Sequence, residues 1–231
     1  MKIIGLIGGM SCESTAEYYR IINEAVRERL GGLHSAKIVM YSVDFEEVGQ
    51  LQREGRWAEA TSLMIDAAKR VERGGADFVL ICTNTMHKMA EDVATSIDIP
   101  LLHIVDATAE RIIYSGFKKV GLLGSTFTME EDFYKGRLED KYGLDVAVPN
   151  EAERRAVHNV IFEELCQGKT KDSSREQIKT IMRKLIDDGS QGVILGCTEL
   201  PLLIKQKDCP VFLFDTTAIH ATAAVDYALG D

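Results

Sequence analysis

The chain has 231 residues, of which 45% are hydrophobic and 27% charged, a balance typical of a folded globular protein and unlike a disordered one. Its formal net charge of −9 leaves no basic surplus to displace counterions from a phosphate backbone, so we expect no nucleic-acid partner. No apolar run is long enough to span a bilayer, and the start lacks the features of a signal peptide, so we expect a cytoplasmic protein without membrane contact.

Strand-like runs alternate with amphipathic stretches along the chain. A first strand is predicted at Lys2–Ile7, and a helix at Ser14–Leu30 follows it, opening with a capping box from Ser14 to Glu17. Apolar residues at helical spacing predict further helices at Trp57–Arg73 and Arg175–Asp188. The other predicted strands are apolar runs rich in branched residues: Lys37–Val43, Ala76–Ile81, Leu101–Val105, Lys119–Leu123, Asp145–Val148, Gly192–Leu195 and Val211–Phe214. This alternation predicts an α/β fold with βα units around parallel sheets.

A glycine turn follows the first predicted strand, at Gly8-Gly9-Met10-Ser11. It is not a G-x-G-x-x-G fingerprint and no P-loop lysine follows, so we expect no nucleotide cofactor. Because backbone amides before a helix can hold an anion, we expect this turn to bind a carboxylate, with Met10 among the substrate-binding residues.

The sequence contains an internal repeat. FVLICTNT at Phe78–Thr85 matches GVILGCTE at Gly192–Glu199, which aligns Thr83 with Cys197. Two further pairs occur in the same order: Lys2–Ser11 with Lys118–Phe127, and Asp98–Ala109 with Asp208–Ala218. The repeat predicts two pseudo-symmetric parallel-sheet domains, residues 1–104 plus 205–231 and residues 105–204, with the active site in the cleft between them.

The two repeated strands end in residues suited to chemistry. The five cysteines include no C-x-x-C pair, so neither a zinc site nor a redox motif is expected, and we interpret Cys82 and Cys209 as small buried hydrophobes. Cys197 precedes a predicted helix start, where helix-terminal amides are expected to lower its pKa, although an inert core cysteine is the alternative. On the other strand, Thr83-Asn84-Thr85 either lines a pocket or forms an ordered turn.

CTNTMH at Cys82–His87 and GCTELPLL at Gly196–Leu203 resemble the paired signatures of the aspartate/glutamate racemase superfamily. The resemblance covers nearly the whole chain. It implies a cofactor-independent amino-acid racemase or epimerase that is a homodimer and needs no metal. In that family one thiolate removes the α-proton and a second thiol reprotonates the opposite face. This sequence departs from the pattern, since Thr83 occupies the position of the first cysteine.

The departure predicts asymmetric catalysis. Cys197 is expected to abstract the α-proton of L substrates, and Thr83, whose hydroxyl is far less acidic than a thiol, to serve the other face poorly. Acidic amino acids, L-aspartate and L-glutamate, are the expected substrates. The predicted substrate-binding residues are Met10, Gln52, Asn84, Thr85, Thr126, Thr198 and Glu199.

The side-chain specificity stays open. Lys169, Arg53 and Arg56 could pair with a substrate carboxylate or be surface charges, and a neutral Gln52 also allows a broad-specificity racemase. A decarboxylase or cis–trans isomerase of the same superfamily, and a binding protein that has lost catalysis, are further alternatives. No role is assigned to His87 or His103, which are expected to be structural.

Overall fold

The computed structural model describes residues 1–230, and the chain divides into two compact units. The first comprises Met1–Ile104 and the residues from His220 onward, and the second comprises Val105–Ile219. The chain therefore passes from one unit to the other twice, after Ile104 and after Ile219. Each unit is built on its own parallel sheet, which confirms the predicted α/β fold with two parallel-sheet domains.

The first unit contains a three-stranded parallel sheet in the order β2-β1-β3. Its strands are β1 (Ile4–Gly8), β2 (Ile38–Ser42) and β3 (Phe78–Ile81). Its helices are α1 (Cys12–Leu30), α2 (Phe45–Arg53), α3 (Trp57–Arg73) and α4 (Ala90–Ala94), with a 3₁₀ turn at Thr85–Met89. The predicted helix Trp57–Arg73 forms with the predicted bounds.

The second unit contains a four-stranded parallel sheet in the order β5-β4-β6-β7. Its strands are β4 (Lys119–Gly124), β5 (Asp145–Ala147), β6 (Gly192–Gly196) and β7 (Phe212–Asp215). Its helices are α5 (Ile104–Tyr114), α6 (Thr126–Glu130), α7 (Glu151–Glu163), α8 (Asp172–Asp187) and α9 (Leu200–Leu203), of which α5 begins at the last residue of the first unit. Helix α10 (Thr216–Leu229) begins in this unit and ends in the first.

Both faces of the first sheet are covered by apolar side chains. Because side chains alternate along a strand, Ile7, Val79 and Ile81 pack with α3, whereas Ile4, Leu6, Phe78 and Leu80 pack on the other face. That second cluster includes α1 and the apolar residues of α10: Tyr18, Ile22, Val26, Ala221, Ala224, Val225 and Ala228. The C-terminal helix thus supplies part of the core of the first unit.

Strand register supports the internal repeat. In the first sheet Gly5 lies opposite Val79, and in the second sheet Gly121 lies opposite Val193. The sequence repeat aligns these same glycines and the same valines with each other. The two units therefore share not only strand order at their centres but also the pairing of equivalent residues.

The strand bounds differ from the sequence-based predictions by one or two residues, and three elements differ in a more informative way. The predicted strand Leu101–Val105 makes only a single bridge, from Leu101 to Val79, because the chain turns into α5 at Ile104. Helix α1 begins at Cys12 and is capped by the Ser11 side chain, which accepts a hydrogen bond from the Ser14 amide, so the capping box from Ser14 to Glu17 does not form. Helix α8 begins at Asp172, before the predicted Arg175.

The domain boundary also differs. The sequence repeat predicts residues 205–219 in the first domain, but they lie in the second unit because β7 pairs in parallel with β6. Of the predicted segment 205–231, only the part from His220 onward belongs to the first unit.

Within residues 1–230, no helix has both the length and the apolar character that crossing a membrane requires.

Candidate active site

Cys197, Thr198 and Glu199 follow β6 directly and are all buried. The Cys197 thiol donates a hydrogen bond to Oε2 of Glu199 at 2.9 Å, and the Thr198 hydroxyl donates to the same oxygen at 2.9 Å. The carboxylate thus stands within reach of the thiol proton, and the Thr198 bond fixes its orientation. This arrangement pairs a nucleophilic sulfur with an adjacent proton acceptor.

The pKa of the Cys197 thiol is raised well above its ordinary value, mainly by burial and then by the negative charge of Glu199 and the nearby Cys166. This corrects the expectation that helix-terminal amides would lower it. Helix α9 contains only four residues, with Pro201 in its first turn, and so provides a weak dipole. The resting side chain is therefore a thiol, and its proton must be transferred before the sulfur can act as a base.

Thr126 lies at the same edge of the second sheet, because Gly124 at the end of β4 pairs with Gly196 at the end of β6. Its backbone amide donates to Nδ1 of His158 at 3.3 Å, and its hydroxyl lies 3.2 Å from the same nitrogen. Burial lowers the pKa of His158, which keeps the imidazole neutral and Nδ1 available as an acceptor. His158 was missed in the sequence because it lies on α7, far from either motif.

A second residue that the motifs did not reveal is Thr217. It follows β7, which pairs with β6, and its hydroxyl is buried with no hydrogen-bond partner among the described residues. The carboxylate of Asp215 accepts hydrogen bonds from the amides of Thr217 and Ala218, at 2.9 and 3.0 Å, and so fixes the start of α10. The Asp-Thr-Thr sequence after a buried strand is the signal that could have indicated this position.

In the first unit, Thr83, Asn84 and Thr85 follow β3 and lead into the 3₁₀ turn. Asn84 and Thr85 are buried, whereas Thr83 is half-buried. The carbonyl of Thr83 lies 2.8 Å from Nδ1 of His87. The preceding Cys82 packs in the apolar core, where burial raises its pKa, so it is placed as a structural residue.

Two predicted binding residues of the first unit have other surroundings than expected. Gln52 lies in α2 rather than in a loop, and its amide donates to the sulfur of Met86 at 3.1 Å. The Met10 side chain is buried in the apolar cluster that contains Ile7 and α3. Both side chains thus have contacts within their own unit.

The glycine turn is not an open anion cradle throughout. The amide of Gly9 donates to the Thr15 hydroxyl at 2.8 Å, so it is already bonded within the chain. Gly9 has φ of +93°, and a Cβ atom there would lie 2.2 Å from the carbonyl oxygen of Val43. Close packing of the turn against β2 therefore explains this glycine better than carboxylate binding does.

The three basic candidates lie in surface interactions. Arg53 pairs with Glu46, Arg56 pairs with Glu54 and Glu59, and Lys169 donates to the side chain of Gln167. All three side chains are exposed. In addition, residues 1–230 contain no cluster of three or more His, Cys, Asp or Glu arranged to hold a metal ion.

The fold and the strand ends define a duplicated α/β protein in which one repeat presents a hydroxyl and the other a thiol at the equivalent position. The model of the Asp/Glu/Hydantoin racemase family matches residues 7–224, and the chain belongs to this family. The expected membership of the racemase superfamily is thereby confirmed.

Solved structures and a curated relative agree with this assignment. A candidate Asp/Glu racemase from Yersinia pestis is 53% identical, with a TM-score of 0.92 over 99% of this chain and 100% of that one. An aspartate racemase homologue from Pyrococcus horikoshii is 40% identical, with a TM-score of 0.86 over the same shares. A broad-specificity amino-acid racemase of Bacillus subtilis is 22% identical over 96% of both chains.

Proposed function

We propose that this chain is a racemase of acidic amino acids that uses no cofactor, with Cys197 as the base toward L-aspartate and L-glutamate. The hydrogen bond from the Cys197 thiol to Glu199 is the observation that carries the proposal. A buried thiol with a raised pKa needs a proton acceptor, and the carboxylate is placed to be one.

The reaction requires three proton transfers. The thiol proton passes to Glu199, and the resulting thiolate removes the α-proton, so the electron pair of the C–H bond is delocalised into the substrate carboxylate. Thr83, from the first unit, then supplies a proton to the opposite face of the α-carbon, directly or through water. Glu199 releases the proton that it took from the thiol to solvent, and Thr83 regains a proton from solvent. Because a threonine hydroxyl is a much weaker acid than a thiol, this transfer from Thr83 limits inversion.

The test is α-proton exchange in deuterated water, followed by NMR on separate L and D samples of aspartate and glutamate. Wild type is compared with Cys197→Ser and with Cys209→Ser, which changes another buried thiol of the same unit. We expect exchange at the L forms in wild type and Cys209→Ser and its loss in Cys197→Ser. Wild type that exchanges none of the four compounds would contradict the proposal.

A broad-specificity racemase is the second candidate. Arg53, Arg56 and Lys169 interact with other side chains at the surface. They therefore do not supply a cation for a substrate side-chain carboxylate, which favours this candidate. The relative from Bacillus subtilis carries that activity in its name. Comparable exchange with neutral and acidic amino acids would favour this candidate, and release of carbon dioxide from alkylmalonates would indicate a decarboxylase instead.

We also propose that the protein is a homodimer with amino-acid substrates as its only small-molecule partners. Light scattering coupled to size-exclusion chromatography measures the molar mass directly. A mass equal to that of one 25.6 kDa chain would contradict the dimer.

A further inference from the structure

Three buried histidines lie together in the first unit, behind the Thr83 turn. The ring centroid of His87 lies 4.6 Å from that of His103 and 5.8 Å from that of His220. All three are almost inaccessible to solvent, with 2%, 9% and 0% exposed. Burying a polar ring is costly unless its nitrogens are hydrogen-bonded. The hydrogen-bond partners of these histidines therefore identify the segments of the chain that they hold in place.

The bonds of His87 fix its tautomer. The backbone amide of Ile104 donates to Nε2 at 3.1 Å, so Nε2 must present a lone pair. The proton of the neutral ring therefore lies on Nδ1, which donates to the Thr83 carbonyl at 2.8 Å. One side chain thus joins the turn that carries Thr83 to the first residue of α5.

The Ile104 end of this link is itself anchored. Ile104 is the last residue of the first unit before the chain passes to the second. His220, where the chain returns, lies 2.9 Å from the carbonyl of Leu102 through Nε2 and 2.9 Å from the hydroxyl of Tyr18 through Nδ1. Burial lowers the pKa of His220 to about 4, so the neutral ring donates to Leu102 and accepts from Tyr18.

We propose that His87 is a positioning residue for Thr83, holding the Thr83 backbone through its Nδ1 proton so that the hydroxyl can serve its face of the α-carbon. This rests on the proposed function, in which Thr83 delivers the proton to the opposite face. Small displacements of a reacting group cost much of its contribution to rate. Loss of the Nδ1 bond should therefore impair inversion and spare the step at Cys197.

Two substitutions separate the two bonds of the ring. His87→Asn retains an amide donor near Nδ1, able to bond Thr83, but nothing at Nε2. His87→Gln retains an acceptor near Nε2 for Ile104 but no donor for Thr83. Both remove the ring, so comparison of the two cancels the loss of packing, and thermal unfolding checks that both are folded.

The measurement uses an L substrate in deuterated water and compares inversion to the D form with exchange that retains the L configuration. We expect His87→Gln to lower the ratio of inversion to exchange about tenfold, as Thr83→Ala should, and His87→Asn to stay near wild type. Equal ratios in the Asn and Gln variants would overturn the positioning role.

The tautomer provides a readout independent of turnover. Nitrogen-15 NMR of His87 should show a proton on Nδ1 and none on Nε2, and the opposite tautomer would overturn the inference whatever the activity. If wild type exchanges no substrate but Nδ1 carries the proton, the proposed function fails while the bond to Thr83 stands.

Discussion

Glu199 affects Cys197 in two opposing ways. Its negative charge raises the pKa of the thiol, which lowers the thiolate fraction, yet its oxygen at 2.9 Å is the acceptor for the thiol proton. Removing the charge should therefore change the reactivity of the sulfur and the rate of catalysis in opposite directions.

Glu199→Gln is expected to make Cys197 more reactive and the enzyme slower. Without the carboxylate the thiol pKa falls, so alkylation of Cys197 by iodoacetamide near pH 8 should accelerate about threefold or more. Exchange at L substrates should fall about tenfold or more because the proton acceptor is lost. Peptide mass spectrometry follows alkylation at each cysteine separately.

Glu13→Gln is the matched control for that variant. Cys12 donates to Glu13 at 3.3 Å as Cys197 does to Glu199, but at an exposed position, and Glu13 is one of the causes of the raised pKa of Cys12. Substrate exchange should not change in this control. Slower alkylation of Cys197 in Glu199→Gln would refute the electrostatic account.

His220 is expected to make stability depend on pH. Its pKa is lowered from 6.5 to about 4 in the folded chain, so the unfolded chain binds the proton more tightly. The stabilisation is complete above pH 6.5 and is lost as pH falls toward 4, by about 3 kcal/mol in total. Denaturant unfolding across this range, compared with His220→Gln, measures the difference, and parallel pH profiles would exclude His220 as the cause.

Among the elements, the turn after β1 shows why some of its residues are fixed by geometry. Gly9 and Gly75 have nearly equal φ angles, +93° and +91°, but only at Gly9 does a Cβ atom meet backbone, at 2.2 Å from the Val43 oxygen. At Gly75 nothing lies within 4 Å. The pair separates conformational strain from steric clash.

Gly75→Ala should reduce the free energy of unfolding by about 1–2 kcal/mol, the conformational cost alone. Gly9→Ala should cost at least about 2 kcal/mol more, because β2 or the turn must move. Urea denaturation of both variants tests this, and equal losses would show that the turn yields without cost.

The strand ends could be predicted from the sequence because buried parallel strands are continuous apolar runs that stop at polar residues. The run Leu101–Val105 has the same appearance, yet it ends as a helix, since a short apolar run does not distinguish a strand from a buried helix start. The predicted domain boundary differs from that of the structure because it depends on the pairing of β7 with β6, a tertiary contact that the sequence pattern does not specify.

The residues of the candidate site that belong to a repeated motif could be predicted from the sequence. Those that lie on other elements could not. Thr83 and Cys197 are equivalent positions of two similar strands and could be aligned directly. His158 lies on α7, away from both motifs. The raised pKa of Cys197 depends on its burial and on the orientation of the Glu199 carboxylate, which the sequence does not specify. Packing decides these features.

At the level of the whole molecule, the C-terminal helix α10 completes the core of the first unit, whose other residues form the N-terminal part of the chain. Its apolar residues Ala221, Ala224 and Val225 pack with Ile4 and Tyr18. Removal of residues from His220 onward should therefore uncover the core of the first unit. The second unit, Val105–Ile219, retains its continuous sheet.

We expect the chain shortened after Ile219 to lose protection from amide hydrogen exchange in β1 and β3 and to keep it in β4 and β6. Mass spectrometry of peptides from each strand compares the two units within one sample. Substitution of Leu229 with Ala is a milder control, since it leaves α10 in place. Uniform loss of protection would show that the two units unfold as one.

This chain connectivity also bears on biosynthesis. A ribosome completes Val105–Ile219 before it adds the helix that closes the core around Ile4 and Tyr18. Since domains fold as units once their residues are available, the unit that begins later in the chain is able to fold first. Until α10 is synthesised, the apolar side chains around Ile4 and Tyr18 stay exposed in the nascent N-terminal half. A chaperone that binds exposed apolar surfaces would therefore act on that half.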